Sequence, residues 1–524
     1  MPANPDHVLY VDAAKQAAFG HEDPTHDNPF LEAVSSMVER GTNFIRYNGA
    51  DHIVVAGTED ADTIISGGGD DTVWGFGGDD RIEAGYGVDK IIGGDGDDII
   101  TNSGTDIGET DMLHGDAGND VIHGGSGMAL IFGGEGQDFL MTGPDGSEIR
   151  AGLDNDFLMG GDGHDAMFGN EGDDWVEGHA GFEYIAGDNG ELFFNSTIIG
   201  HDVLNGGSGD TDYDADSGDD IMIGGDGIQK FIGMWGHDWV TFQGQFTAAD
   251  ADMNFPVFPN IPLEVLRDRY SQVEGLSGWK NDDVLRGDDR SDAEEEAATP
   301  VADPTPEGNF VHNELDEAGI ARIAGLDQII KSDMLSTGEY WADGSGDEKL
   351  VFTGGNVLLG GGGSDLIEGR GGDDVIDGDA WLNVRIGIRN EVGEIYAWAE
   401  GMSSQVYSAD NFDEVTGKPT APENTLFAGR KLDSLMLDRT LNPGQLDIIR
   451  QVLWDDSGED TAVYWDVLEN YELLRNADGS VSITHVDESD PVIDPLTGNT
   501  RVNDGADRLY NVEFLQFADG TFSV

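Results

Sequence analysis

From Gly57 onward the chain repeats itself every nine residues, and that period limits what it can fold into more than any other feature does. Five units run without a gap to Thr101 (GTEDADTII, SGGGDDTVW, GFGGDDRIE, AGYGVDKII, GGDGDDIIT), and after four inserted residues eight more run from Asp106 to Glu177. The sixth place of the thirteen units holds Asp62, Asp71, Asp80, Asp89, Asp98, Asp111, Asp120, Ala129, Asp138, Ser147, Asp156, Asp165 and Asp174. The eighth is apolar in every unit, from Ile64 and Val73 to Met167 and Val176.

The two halves of a unit ask for different backbones. Its last three residues, an apolar centre with frequent β-branched neighbours, read as a very short strand that buries one side chain. Its first six, glycine-rich and closed by Asp, read as a tight turn. Strand, turn, strand, turn makes a coil of 18 residues, and coils stack as parallel strands about 4.8 Å apart. The expected fold is mainly β: a solenoid of stacked parallel strands, with inserted helical segments and a C-terminal antiparallel β cap.

Such a stack lines each edge with carboxylates at rung spacing, where repulsion is severe unless something neutralises it. The chain has few cations of its own for this, with 105 Asp and Glu against 26 Lys and Arg and a formal charge of −79. The same imbalance excludes a binder of nucleic acid or anionic membrane, which needs a basic footprint. The absence of cysteine excludes disulfides, thiolate catalysis and thiolate metal sites. A hard cation held by oxygen resolves the problem. Ca²⁺ takes six to eight oxygens from carboxylates and backbone carbonyls in flexible geometry, whereas Mg²⁺ demands a tighter octahedron. Multiple Ca²⁺ ions held by these oxygens are therefore expected. Ala129 and Ser147 supply no carboxylate, so sites on their turns, and beside the insertion at Asn102 to Thr105, are expected to be empty.

The period returns downstream. A second set has Asp202, Thr211, Asp220, Gln229 and Asp238 at the sixth place, one isolated unit has Asp283, and three units from Val351 have Asn356, Asp365 and Asp374. The expected organisation is an N-terminal helical or extended cap (1–56), the main roll (57–177) and a degenerate block with insertions (178–286). An acidic linker and helix (287–350), a third block (351–379), an irregular or helical insertion (380–460) and a C-terminal β module (461–524) follow. Asn28-Pro29 before FLEAVSSMVER and Asn442-Pro443 before GQLDIIRQVL carry helix-start signals. Asp316 to Leu335 shows helical apolar spacing, and the acidic, Pro-rich run from Asp288 to Asn309 reads as a linker. From Thr461 the pattern becomes antiparallel, with a turn at Asn476 to Gly479.

The nonapeptide resembles the GGxGxDxUx repeat of RTX (repeats-in-toxin) proteins, and Gly93-Gly-Asp-Gly-Asp-Asp-Ile-Ile matches it fully. The resemblance implies a hemolysin-type Ca²⁺-binding, right-handed parallel β-roll, with Ca²⁺ held between turns on the same edge, for example by Asp71 with Asp89 and by Asp80 with Asp98. Longer stretches, among them TNFIRYNGADHIVVAGTEDADTIISGGGDD from Thr42 and LRDRYSQVEGLSGWKNDD from Leu266, resemble the region after the catalytic domain of large secreted bacterial haem peroxidases of the animal type. This implies an upstream catalytic domain in the parent protein. The ending DGADRLYNVEFLQFADGTFSV resembles a unit common after RTX blocks.

Other chemistry is harder to place. His21-Glu-Asp-Pro-Thr-His26 has the wrong spacing for a zinc helix and contains Pro24. His114, His123, His164 and His237 read as solvent-facing, and Trp74, Trp175, Trp235 and Trp239 as core or rung-stacking residues, with glycan contact as the lesser alternative. Pairs such as Asp97-Asp98 read as turn residue plus ligand rather than as acid–base pairs. No apolar stretch approaches a membrane span, and the first residues show no signal-peptide pattern. The expectation is a secreted, extracellular bacterial protein, exported by a type I route, that folds on meeting Ca²⁺ and has no activity of its own. The alternatives are an adhesin or surface-layer component in contact with the cell surface, and an extracellular enzyme, haem peroxidase-like or polysaccharide-modifying, with a site outside the repeats.

Overall fold

In the computed structural model, residues 7–11, 37–103, 110–189, 200–257, 267–289, 314–340, 347–486, 492–493, 500–501 and 503–524 are described. They divide into two compact units: residues 1–184 with 401–405 and 429–446, and the remainder of 185–524.

In the first unit, repeats alternate between two parallel sheets. One contains Ile53–Ala56, Thr72–Gly77, Lys90–Asp95, Thr110–Ala117, Met128–Glu135, Glu148–Leu153 and Ala166–Glu171. The other runs from Phe44–Tyr47 through Thr63–Ile65, Arg81–Glu83, Ile99–Thr101, Val121–His123, Phe139–Met141 and Phe157–Met159 to Trp175–Glu177. Partners lie 18 residues apart, as Ile64 opposite Ile82 and Val73 opposite Ile91. At the insertion the step lengthens to 22, as from Ile100 to Ile122, and the register survives. The eighth-place residue of all thirteen units is 0 % exposed, so the core is a column of single aliphatic side chains between the sheets. From Thr63–Ile65 onward the strands of the second sheet have the expected three residues, but those of the first, from Thr72–Gly77 onward, extend to six or eight and run into the turn.

The first element, Val8–Val11, pairs antiparallel with Ile53–Ala56. Met37 to Arg40, the end of the expected helix after Pro29, is not helical: Val38–Gly41 forms a hairpin with Phe44–Tyr47. Residues 28–36, like the acidic run 290–309 and the His21–His26 motif, lie outside the described residues.

The second unit has its own row of short rungs, Val203–Asn205, Ile221–Ile223, Trp239–Thr241, Gly275–Ser277, Val357–Leu359 and Val375–Asp377, all parallel. Another row runs Asp250–Asp252, Val284–Arg286, Leu366–Glu368, Thr461–Val463 and Phe514–Phe517. Insertions leave the roll between these rungs. The segment after Ala380 forms a four-stranded sheet in which Ile395–Ala399 pairs antiparallel with Ala380–Arg389 and Val406–Ser408.

The Asn442-Pro443 signal caps only a 3₁₀ turn, Pro443–Gln445, complete with capping box, and the chain then runs as the strand Leu446–Trp454. The cap was real, but Ile448, Ile449 and Val452 are β-branched and favour the sheet. Helix in the 316–335 stretch is confined to Glu317–Arg322 and a 3₁₀ turn at Leu326–Gln328; Ile320, Ile323, Ile329 and Ile330 are all buried. The C-terminal segment holds the expected hairpin, Tyr471–Arg475 with Val481–His485, together with further parallel rungs of the roll. Among the described residues no helix is long and apolar enough to cross a membrane.

Candidate metal sites

All seventeen sixth-place aspartates are buried, none more than 2 % exposed. On one edge of the first unit, the backbone N–H of each of Asp62, Asp80, Asp98, Asp120, Asp138 and Asp156 donates to Oδ1 of the aspartate one coil further on. These bonds are 2.6–2.8 Å long and end at Asp174. The opposite edge runs from Ile53 N–H through Asp71 and Asp89 to Asp111. There Ala129 breaks the column of carboxylates. Ser147 Oγ accepts from Ala129 N–H in place of a carboxylate, and Ser147 N–H returns the ladder to Asp165 and thence to Glu183.

Within a column each carboxylate thus spends one oxygen on the preceding rung, and the second oxygen separates the aspartates into classes. Oδ2 of Asp80, Asp98, Asp120, Asp138 and Asp156, and of Asp238, Asp365 and Asp374 in the second unit, is buried without a hydrogen-bond donor. Asp62 differs, because its Oδ2 accepts from Thr58 N–H and Oγ1 while His7 Nε2 lies 2.8 Å from its Oδ1. Asp111 Oδ2 accepts from Asn102 Nδ2 at 2.7 Å, Asp165 Oδ2 from Gly161 N–H, and Asp283 Oδ2 from Trp279 N–H. Asp71, Asp89, Asp174, Asp202 and Asp220 take part in the same ladders.

Glycine opens eight of the thirteen units, and at Gly75 and Gly115 the space it leaves is taken by this oxygen. A Cβ on Gly75 would stand 2.1 Å from Asp80 Oδ2 and 2.4 Å from the carbonyl oxygen of Gly93; on Gly115 it would stand 2.0 Å from Asp120 Oδ2 and 2.7 Å from Gly133 O. A carboxylate oxygen and a carbonyl oxygen from the next coil therefore converge beside the glycine. Two acceptors that face each other in a buried place call for a cation, and all-oxygen donors suit Ca²⁺. Among the described residues no three acidic or histidine side chains gather around one point, so an ion held here takes its further ligands from backbone carbonyls.

Protonation gives the same message. Burial, opposed by the donor from Asp62 and reinforced by the charges of Asp98 and Asp62, pushes Asp80 up to about 8. Burial likewise pushes Asp98 to about 7 and Asp120 to about 8, and holds Asp138 and Asp156 well above the carboxylate range. Burial thus makes this column costly to ionise, and a divalent ion between the rungs offsets that cost.

In the second unit the ladder recruits residues that the nine-residue period does not reveal. Asp238 N–H donates to Glu274 Oε2, Gln229 N–H to Asp268 and Asp283 N–H to Asp365. Asp365 N–H then donates to Asp460, Asp374 N–H to Asp507 and Asp460 N–H to Glu513. Each recruit stands two residues before a buried apolar residue, as Glu274 before Leu276, Asp460 before Ala462 and Asp507 before Leu509. That acid-x-apolar triplet was the available signal. Gln229 serves a rung without charge: its Oε1 accepts from Thr211 N–H and its Nε2 donates to Gly209 O.

Among the described residues the histidines gather into no metal-binding group. His237 is not solvent-facing but 1 % exposed, edge-on to Trp239 and Phe352, because an insertion strand covers its turn. His114 is half-buried, and its ring stacks on Phe132 at 4.5 Å and 9°. Trp175, Trp235 and Trp239 are buried.

The model of the RTX calcium-binding nonapeptide repeat matches residues 54–75, 74–104, 108–140, 150–182, 214–244 and 352–380. No curated protein and no solved structure matches the chain.

Proposed function

We propose that this RTX-repeat protein, whose repeats bind Ca²⁺, is a secreted, non-catalytic β-roll that folds as it takes up calcium outside the cell. The observation that carries the reading is the row of buried Oδ2 atoms on Asp80, Asp98, Asp120, Asp138 and Asp156, none with a protein donor. Without an ion, the ionised roll holds uncompensated buried charge, and the unfolded chain, where each carboxylate is hydrated, is favoured. With the ion, binding free energy becomes folding free energy. The seventeen aspartates named from the repeat are the proposed acidic ligands, with the donor-free group as the strongest. Asp62, Asp111, Asp165 and Asp283, whose second oxygen has a donor, are weaker members.

The resemblance of the stretches from Thr42 and Leu266 to the region downstream of secreted haem peroxidase domains supports placement of this chain after a catalytic domain of a parent protein. A type I export route accords with a chain that stays unfolded at low free calcium. The test is a Ca²⁺ titration of the chelated chain followed by far-ultraviolet circular dichroism. β-Signal should rise with calcium and fall on EDTA; a spectrum indifferent to both would sink the proposal.

A further inference from the structure

Within the first unit, residues 429–446 form a strap along one edge of the roll, and its polar contacts follow the repeat. Arg81 Nη1 donates to Leu437 O, Asn442 Nδ2 to Asp97 Oδ2 at 2.7 Å, and Gln137 Nε2 to Leu446 O at 3.1 Å. Asp97, Asn119 and Gln137 occupy the fifth place of successive rungs on this edge. They form a ladder of their own, with Asn119 N–H donating to Asp97 Oδ1 and Gln137 N–H to Asn119 Oδ1. The strap is anchored by Leu432, Leu435 and Met436, all 0 % exposed.

Its one guanidinium on this edge belongs to Arg439. Nη1 donates to Asp79 O at 3.0 Å, and Nη2 to Asp80 O at 3.0 Å and to Asp97 O. The residue adopts φ 59°, a left-handed conformation uncommon outside glycine, just after the short helix Leu432–Leu437. Three turn carbonyls from two adjacent rungs thus converge on one fixed positive charge, beside Asp80 and Asp98 with their donor-free oxygens.

We propose that Arg439 is a tethered counter-ion: the strap brings the chain's own cation to the acidic edge and holds the rungs of Asp80 and Asp98 together at calcium levels too low to fill the sites. This rests on the calcium reading above and adds a calcium-independent latch to it. The guanidinium suits the role because its planar fork can reach several carbonyls at once, which an ammonium does less well.

The experiment compares the full chain with Arg439→Gln and Arg439→Lys by calcium titration and by hydrogen exchange in EDTA and in saturating Ca²⁺. Because Arg439 is exposed, the expected shift is modest: Arg439→Gln should raise the calcium midpoint about threefold, within the range of surface ionic contacts. Amides of residues 79–99 should exchange faster in EDTA, and Arg439→Lys should fall between. An unchanged midpoint together with unchanged exchange in 79–99 would overturn the proposal. Faster exchange spread evenly over the unit in both variants would also overturn it, since a local latch would then not be the cause. If the unsubstituted chain proves indifferent to calcium, the calcium reading fails alone, because the exchange comparison in EDTA still decides the latch.

Discussion

The two units build the same ladder from differently spaced sequence. In the first, the column from Asp62 to Asp174 joins residues 18 apart, with one step of 22. In the second, single steps join residues 36, 82, 95 and 133 apart. The hydrogen-bonded rung, not the continuous repeat, is the unit of the fold, and an insertion of almost any length is tolerated if the chain returns in register. This accords with the slow growth of loop-closure cost with length. The units also differ in how they meet their charge. The first stacks seven carboxylates in one column, whereas the second intersperses neutral and paired groups: Gln229, Asn356, and Arg370 bound through both terminal nitrogens to Asp252.

The largest expected effect of this difference is on chelation. In EDTA, residues 57–177 should lose most of their exchange protection. The sheet around Ala380–Arg389 and Ile395–Ala399, whose core includes Trp381 and Trp398 at 0–1 % exposure, should keep more of its protection. Hydrogen exchange with mass readout checks this directly, and equal loss in both segments would erase the distinction. Within the first unit, Asp138→Asn interrupts the middle of a column and should raise the calcium midpoint about tenfold, equivalent to roughly 1.4 kcal/mol. Asp62→Asn, at the column's end with protein donors on its second oxygen, should shift the midpoint less than about twofold.

Acidity should move the metal-free roll in the opposite sense to most proteins. Between about pH 4, where an unfolded aspartate titrates, and about 8, where Asp80 and Asp120 do in the roll, the folded chain holds more protons than the unfolded one. Its stability in EDTA should therefore fall as the pH rises through that window. Melting in EDTA at pH 5 and pH 8 tests the direction, and the higher transition belongs at pH 5. With Ca²⁺ in excess the order should reverse, because protons compete with the ion.

How far the sequence disclosed this depends on spacing. Where units abut, both columns were legible: all thirteen eighth-place residues are fully buried, and every sixth-place Asp lies on a ladder. The donor pattern that divides Asp62 and Asp111 from Asp120 was not, because it depends on Thr58, at a place the repeat leaves variable, and on Asn102, in the insertion outside the period. In the second unit Glu274, Asp460, Asp507 and Glu513 escaped notice because their rungs lack the glycine-rich turn, and only the acid-x-apolar triplet remains. The strand Leu446–Trp454 was misread as helix because its cap signal serves a single 3₁₀ turn. Local chemistry identified the turn, and tertiary pairing decided what followed.

The smallest effect concerns the neutral rung of the second unit. Gln229 is fully buried and does with one amide what an aspartate and an ion do elsewhere, accepting from Thr211 N–H at 3.0 Å and donating to Gly209 O at 3.0 Å. Gln229→Glu keeps the shape and the acceptor but replaces the donor with a charged oxygen. In saturating calcium the change should cost less than about 1 kcal/mol, because an ion can enter between the new carboxylate and the turn carbonyl. In EDTA the same variant should be destabilised by about 1–3 kcal/mol, the range for a buried group left unsatisfied. Melting of the two proteins with and without calcium measures both numbers. A loss of equal size in the two conditions would mean that the turn at Gly209 cannot admit an ion, and that the units differ in more than the charge of their rungs.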